Sequence, residues 1–218
     1  EYFLQNIILC ENLREILRQF SDIDRIIARI SMQRASARDL LALKESLKLS
    51  LAIKEIITQQ NPPANIAKLC EKIPVNNIIL DLLTNTIAED APNNMANGGI
   101  IKAGYHQQID ELNNLLTNSQ QHINELRQTY RTETGIENLK ISHNNMLGYY
   151  IDINAKFNTK MKAKFQHKQT LANSMRYITD ELKHLEFKIN EAQNIIFQIE
   201  HEIFVNICQQ ILMQAAEF

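Results

Sequence analysis

Leu139-Lys140-Ile141-Ser142-His143 and Leu147-Gly148-Tyr149-Tyr150-Ile151-Asp152-Ile153, joined through the turn pair Asn144-Asn145, interrupt an otherwise helical sequence. Their β-branched and aromatic residues around a turn signal predict two paired strands. A third strand is expected over Lys164–Leu171. On either side the period changes. Ile109, Leu112, Leu116, Ser119, Ile123, Leu126 and Tyr130 recur at steps of 3,4,3,4,3,4, and so do Leu182, Leu185, Ile189, Ala192, Ile196, Ile199 and Ile203. A 3.5-residue repeat held that long predicts coiled-coil seams. At 1.5 Å per residue the second helix would run to roughly 50 Å. The expected fold is therefore mainly α with a small antiparallel β insertion: long antiparallel lever helices carrying a β-rich tip.

Further out the chain remains helical. Leu13, Ile16, Leu17, Phe20, Ile23, Ile26, Ile27 and Ile30 line one face, with Ser21-x-x-Asp24 as a candidate cap inside the run. Ser36-x-x-Asp39 opens a helix bearing Leu40, Leu41, Leu43, Leu47, Leu51, Ile53, Ile56 and Ile57, which must stop at Asn61-Pro62-Pro63. Shorter helices are expected over 64–72 and 76–89, and a loop over 90–99. This divides the chain into a helical part at 1–105, an ascending helix at 106–134, a β-rich region at 135–178 and a descending helix at 179–218.

The chain has 218 residues, 44% hydrophobic and 22% charged, with 5 Gly, 4 Pro and no Trp, a composition that favours long helices over many short strands. No run of about 18 uncharged apolar residues offers a transmembrane helix, and Glu1-Tyr2-Phe3-Leu4-Gln5-Asn6 does not read as a secretory signal. Cys10, Cys70 and Cys208 stand far apart, offering neither a disulfide framework nor a metal knuckle, so a reduced cytoplasmic compartment is expected. With no initiator Met beside a helical pattern, the chain reads as a piece of a longer protein.

Enzyme readings find little. Gly98-Gly99 is the one Gly pair, and no GxxxxGK[ST] phosphate loop is present. His106, His122, His143, His167, His184 and His201 form no HxxxH or HExxH pair, and Asp180-Glu181 suits a helix start. No catalytic residue, metal ligand or cofactor site is expected. Charge is more informative. Formal net charge is −2, yet residues 153–179 hold Lys156, Lys160, Lys162, Lys164, Lys168 and Arg176 and no Asp or Glu, with Phe157, Phe165, Tyr177 and several amides interleaved. Ammonium groups without counter-charges gain by meeting a polyanion, because each phosphate they neutralise releases counterions. Amides and hydroxyls add positioning contacts to phosphate. The competing reading is a solvated basic loop.

Five ordered blocks resemble the MutS family of bacterial DNA mismatch repair proteins. They are Asp22-Ile23-Asp24-Arg25-Ile26-Ile27-Ala28-Arg29 running on to Arg38-Asp39-Leu40, then Gly98-Gly99-Ile100-Ile101-Lys102-Ala103-Gly104-Tyr105, then Gly135–Ile141, Asn144–Ile151, and Lys168-Gln169-Thr170-Leu171-Ala172-Asn173 with Arg176-Tyr177. The resemblance implies core and lever helices with an inserted clamp whose tip touches double-stranded DNA, a homodimer closing two clamps on the duplex, and an ATPase using ATP and Mg elsewhere in the protein. The mismatch-wedging Phe-x-Glu would also lie elsewhere, so neither Phe20 nor Phe187 is that residue. The clamp insertion favours the mismatch-repair branch over relatives acting on recombination intermediates.

By position, Lys168, Gln169, Thr170 and Asn173 match the DNA-contacting turn. His167 and Ala172 stand where many members have Arg and Lys, respectively. Lys160, Lys162 and Lys164 are expected to compensate, with Arg176 completing the set. The alternatives are a coiled-coil scaffold for a protein partner, which a concentration-dependent mass without DNA binding would select, and a helical-arm RNA binder, which a preference for structured RNA would select.

Overall fold

The computed structural model describes residues 2–93, 95 and 98–215. The expected loop over 90–99 is therefore seen only in part, since Asn94, Ala96 and Asn97 lie outside the described residues. The chain divides into two compact units. One comprises the residues up to His106 and those from Phe197 onward; the other is Gln107–Ile196.

In the first unit the helices are α1 (Tyr2–Gln5), α2 (Ile7–Leu17), α3 (Ile23–Ser31), α4 (Ala37–Gln59), α5 (Ala64–Glu71) and α6 (Asn77–Thr86). The run from Leu13 to Ile30 is broken as expected, but the cap is Asp22, not Ser21. The Asp22 carboxylate accepts from Arg25 N at 2.9 Å, an acceptor stronger than a hydroxyl at a positively polarised helix start. Ser36 and Asp39 form the anticipated capping box. α4 carries α2, α3, α5 and α6 on its sides, with Leu9, Leu13, Ile53, Ile57 and Cys70 forming one core cluster. α6 ends at Thr86, earlier than expected, because the chain turns into a bridge between Ile87 and Ile101.

The second unit contains α7 (Gln107–Thr134), the first half of α8 (Asp180–Met213) and a four-stranded sheet: β1 (Lys140–Asn144), β2 (Gly148–Asn154), β3 (Gln166–Thr170) and β4 (Ser174–Ile178) in antiparallel order β1-β2-β4-β3. The third strand is shorter than expected. Neither β4 nor the 3-10 helix at Ala155–Lys160 was legible as such, β4 because Ser174-Met175-Arg176-Tyr177-Ile178 carries a weak period-2 signal. The sheet packs Ile151, Ile153 and Tyr177 with Tyr130, Ile136, Leu139, Phe165 and Leu182 in one core.

None of the α7 seam residues is exposed, and the α8 seam is followed from Leu182 to Ile196. Beyond it the buried line moves to Glu200, Phe204, Ile207 and Ile211, leaving Ile199 and Ile203 only half-buried. A straight helix turns once per 3.6 residues, so a strict 3.5 stripe drifts off its face and is replaced by the next position. Glu200 thus enters a buried site that the apolar pattern could not announce. Its Oε1 accepts from the backbone N–H groups of Gly99, Ile100 and Ile101 at 3.1, 3.1 and 3.2 Å. Gly98 and Gly99, at φ +68° and +80°, turn these successive amides into an anion-binding nest.

Candidate nucleic-acid interface

The strand register decides which polar side chains of the sheet are already occupied. Asp152, Arg176 and Gln169 lie side by side across β2, β4 and β3. Arg176 Nη1 donates to Gln169 Oε1 at 2.9 Å, its Nε lies 3.8 Å from Asp152 Oδ2, and its guanidinium stacks 4.5 Å from the centre of the Tyr150 ring. Arg176 and Gln169 are therefore partnered within the sheet. A bulge between His167 and Gln169 adds one residue to β3, and this turns both His167 and Lys168 to solvent. His167 Nε2 and Thr170 Oγ1 share a hydrogen bond of 3.0 Å, and the His167 ring meets Tyr177 edge-on at 5.4 Å.

Residues 155–165 lie between β2 and β3. Asn154 Oδ1 accepts from Lys156 N at 3.1 Å, opening the 3-10 helix. Ala155 N donates to Asn173 O at 3.2 Å, which joins this helix to the exposed turn Leu171-Ala172-Asn173 between β3 and β4. Phe157 and Met161 pack against the core that contains Phe165, and Asn158 Oδ1 accepts from the Tyr177 hydroxyl.

The lysines of this segment then separate into two kinds. Lys160 Nζ donates to Gly135 O at 3.1 Å, and Lys164 pairs with the Glu133 carboxylate while lying 5.2 Å and 5.3 Å from the ring centres of Tyr130 and Phe165. Lys162 and Lys168 are exposed and make no hydrogen bond or ion pair among the described residues. Lys156, which the family match does not single out, makes only a ring contact, 4.9 Å over Phe157. The Asn173 side chain is also exposed and makes no hydrogen bond among the described residues, where its backbone carbonyl anchors it to Ala155 N. Of the nine expected contact residues, Lys162, Lys168 and Asn173 stand unengaged. Lys160, Lys164, His167, Gln169, Thr170 and Arg176 are held by neighbours.

Two clasps tie this region to the helices. Tyr130 Oη donates to Glu181 Oε2 at 2.7 Å and shares a 2.8 Å bond with Thr179 Oγ1, and Thr179 Oγ1 also accepts from Leu182 N at 3.2 Å, at the start of α8. On the other side Glu186 Oε2 accepts from Tyr149 N at 3.3 Å. A Cβ at Gly148, whose φ is +67°, would collide with that carboxylate, so only glycine permits the approach. Burial pushes the Tyr130 and Tyr177 hydroxyls above the ordinary phenol range, so both stay protonated donors at neutral pH. The Lys183 ammonium, hydrogen-bonded at 2.8 Å, holds Asp180 below the usual carboxylate value. Burial raises the Cys208 thiol to about 11, where it is a poor nucleophile. Among the described residues no three His, Cys, Asp or Glu are grouped to hold a metal, and no helix is long and apolar enough to cross a membrane.

Compared with known proteins, residues 104–195 match the family model described as MutS family domain IV. The chain is 40% identical over 220 residues to proteins named DNA mismatch repair protein MutS from Rickettsia rickettsii (strain Sheila Smith), Rickettsia typhi (strain ATCC VR-144 / Wilmington) and Rickettsia prowazekii (strain Madrid E). Each match covers 99% of this chain and 25% of the relative, so the chain spans about a quarter of the length of the curated relatives it matches.

Proposed function

The chain belongs to the MutS family, and from that premise we propose that its β-rich tip grips the phosphate backbone of duplex DNA without reading sequence. The observation that carries the reading is the run 153–179, which has six basic residues, no acidic one, and an exposed turn at 171–173 that presents the Asn173 amide. Backbone gripping needs ammonium groups free to replace counterions and amides able to reach phosphate oxygens, and it needs no ordered pocket. α7 and α8 then act as levers, because the Tyr130–Thr179–Glu181 bonds fasten the end of one to the start of the other. Motion driven by an ATPase would reach the tip through them.

In this proposal a homodimer closes two such tips on one duplex, in a cytoplasmic setting consistent with three free cysteines. ATP and Mg find no fit among the described residues, which offer neither a glycine-rich phosphate loop nor a metal-ligand group. Their binding belongs, on this reading, to the part of the relatives that this chain does not span.

Titration of the 218-residue chain with duplex DNA across a salt series tests the reading. Affinity should be weak, about 10⁻⁴–10⁻⁶ M near physiological salt, equal for matched and mismatched duplex, and should fall steeply as salt rises. Affinity indifferent to salt, or binding confined to structured RNA, would reject it.

A further inference from the structure

We propose that the basic segment divides its labour: Lys160 and Lys164 are positioning residues that fasten residues 155–165 to the end of α7, and Lys156, Lys162 and Lys168 are the groups that neutralise phosphate. The inference rests on the duplex-gripping reading and goes beyond it, giving opposite roles to identical side chains a few positions apart and adding Lys156 to the contact set.

Lys164 is committed twice. Its ammonium is neutralised by Glu133, and it sits over the faces of Tyr130 and Phe165, where the ring quadrupoles favour a cation. To reach a phosphate it would have to abandon Glu133, leaving a bare carboxylate beside a polyanion. That exchange replaces one ion pair by another and adds a like-charge repulsion, so it offers DNA no net positive charge. Lys160 is committed to the last turn of α7. Gly135, at φ +62°, ends that helix, and its carbonyl takes the Lys160 ammonium at the end where carbonyls lack intrahelical partners and the dipole is negative. These two tethers hold the stretch whose Phe157, Met161 and Phe165 fill the core.

The remaining three are arranged differently. Lys156 follows Ala155, whose amide is bonded to Asn173 O, so it is held beside the β3–β4 turn. Lys168 is turned outward by the bulge in β3. Lys162 lies between the two tethers, where Phe165 N donates to its carbonyl at 3.0 Å and fixes the backbone while the side chain stays exposed. All three lack an acidic partner among the described residues, so each can exchange solvent counterions for phosphate.

The two roles predict different salt behaviour. For the 218-residue chain titrated with a short duplex, K156A, K162A and K168A should each lower the slope of log affinity against log salt by about 0.9 and weaken binding roughly fivefold to tenfold at low salt. K164M should weaken binding while leaving the slope unchanged and should speed amide exchange in residues 155–165 without DNA. The charge-swapped pair K164E/E133K should restore both affinity and protection, since it rebuilds the tether with its lysine on α7. A reduced slope in K164M, a swap that rescues protection but not affinity, or an unchanged slope in K156A would overturn the division. Failure of the unsubstituted chain to bind duplex would reject the gripping function itself, and the division with it. A wild-type chain that binds while K164M loses slope would reject the division alone.

Discussion

The helical unit and the β-rich unit treat charge in opposite ways. In the first, a charge that leaves water is met by polar partners fixed in the fold. Lys44 is fully buried and donates to both Glu89 oxygens at 2.7 Å, and Glu200, 2% exposed, takes three amides on Oε1 while Oε2 has no hydrogen-bond partner among the described residues. In the second, Asp152, Arg176 and Gln169 share partners across the sheet, Lys160 and Lys164 are tied down, and Lys156, Lys162 and Lys168 are left over. The difference follows from the cost of desolvation. A buried ion without full partnering loses several kcal/mol, whereas an exposed lysine costs the fold little and keeps its charge for a ligand. Charge used for stability and charge available for binding can therefore be told apart by partners, and residue type alone does not separate them.

The largest effect should come from emptying each core. Leu83→Ala in the helical unit and Ile151→Ala in the β-rich unit each remove a fully buried side chain and should cost about 3 kcal/mol. Hydrogen exchange should show protection lost mainly in the unit that carries the substitution. Equal loss in both units after either change would mean that they unfold as one, and the contrast would then be local to the charges alone.

Next comes the buried carboxylate. Glu200→Ala strands three amides and should cost about 3 kcal/mol, while Glu200→Gln, which keeps an acceptor, should cost about 1 kcal/mol. Acid sharpens the comparison. Burial raises Glu200 above 4.5 despite its three amide donors, so the folded state favours the proton. The stability it contributes is fully present below 4.5 and is lost as pH rises through its raised folded value. Asp180, lowered from 3.8 mainly by its hydrogen bond to Lys183, does the reverse: its contribution is present above 3.8 and lost as pH falls through its lowered value. Amide exchange across an acid series should therefore loosen the first turn of α8 while Gly99–Ile101 stays protected. Loss of protection at Gly99–Ile101 first would contradict the assignment.

What the sequence revealed tracks what repeats. The apolar stripes of α7 and of α8 up to Ile196, the capping box at Ser36 and the β1–β2 hairpin are periodic or stereotyped local signals; the stripe positions are withdrawn from solvent, and the box and hairpin form as expected. Glu200 was invisible because a single carboxylate beside Ile199 carries no pattern. The 3.5 repeat pointed to the wrong neighbour once a 3.6 helix had drifted past it. β4 escaped because its five residues carry only a weak period-2 signal and one of its partners, β2, lies beyond residues 155–173, across the 3-10 helix and β3. For the candidate site, the cluster of basic residues could be seen in the sequence, but its internal accounting could not. Glu133 lies 31 positions before Lys164 in the chain, and nothing local relates them. Lys156 escaped the family match for the complementary reason, since only the bond from Ala155 N to Asn173 O brings it beside the matched turn.

Tyr130→Phe is a smaller test. It keeps the ring in the core and the face below Lys164, but removes the hydroxyl shared by Thr179 and Glu181. The expected loss is about 1 kcal/mol, confined to the end of α7 and the start of α8 and read as faster exchange at Leu182 and Lys183. An unchanged exchange rate there would show that packing alone holds the clasp.

The smallest effect should be the most discriminating. Replacing Lys156, Lys162 and Lys168 together by Ala should change stability by less than about 0.5 kcal/mol, as expected for exposed groups with no hydrogen bond or ion pair among the described residues and one surface ring contact, Lys156 over Phe157, so the melting temperature should scarcely move. Lys164→Met belongs on the other side of the line, because it strands Glu133 and uncovers two ring faces, and its melting temperature should fall. The two measurements separate the lysines before any DNA is added. If the triple variant proved as destabilised as Lys164→Met, its three side chains would have partners that matter to the fold, and their charge would be stability charge like that of Lys44.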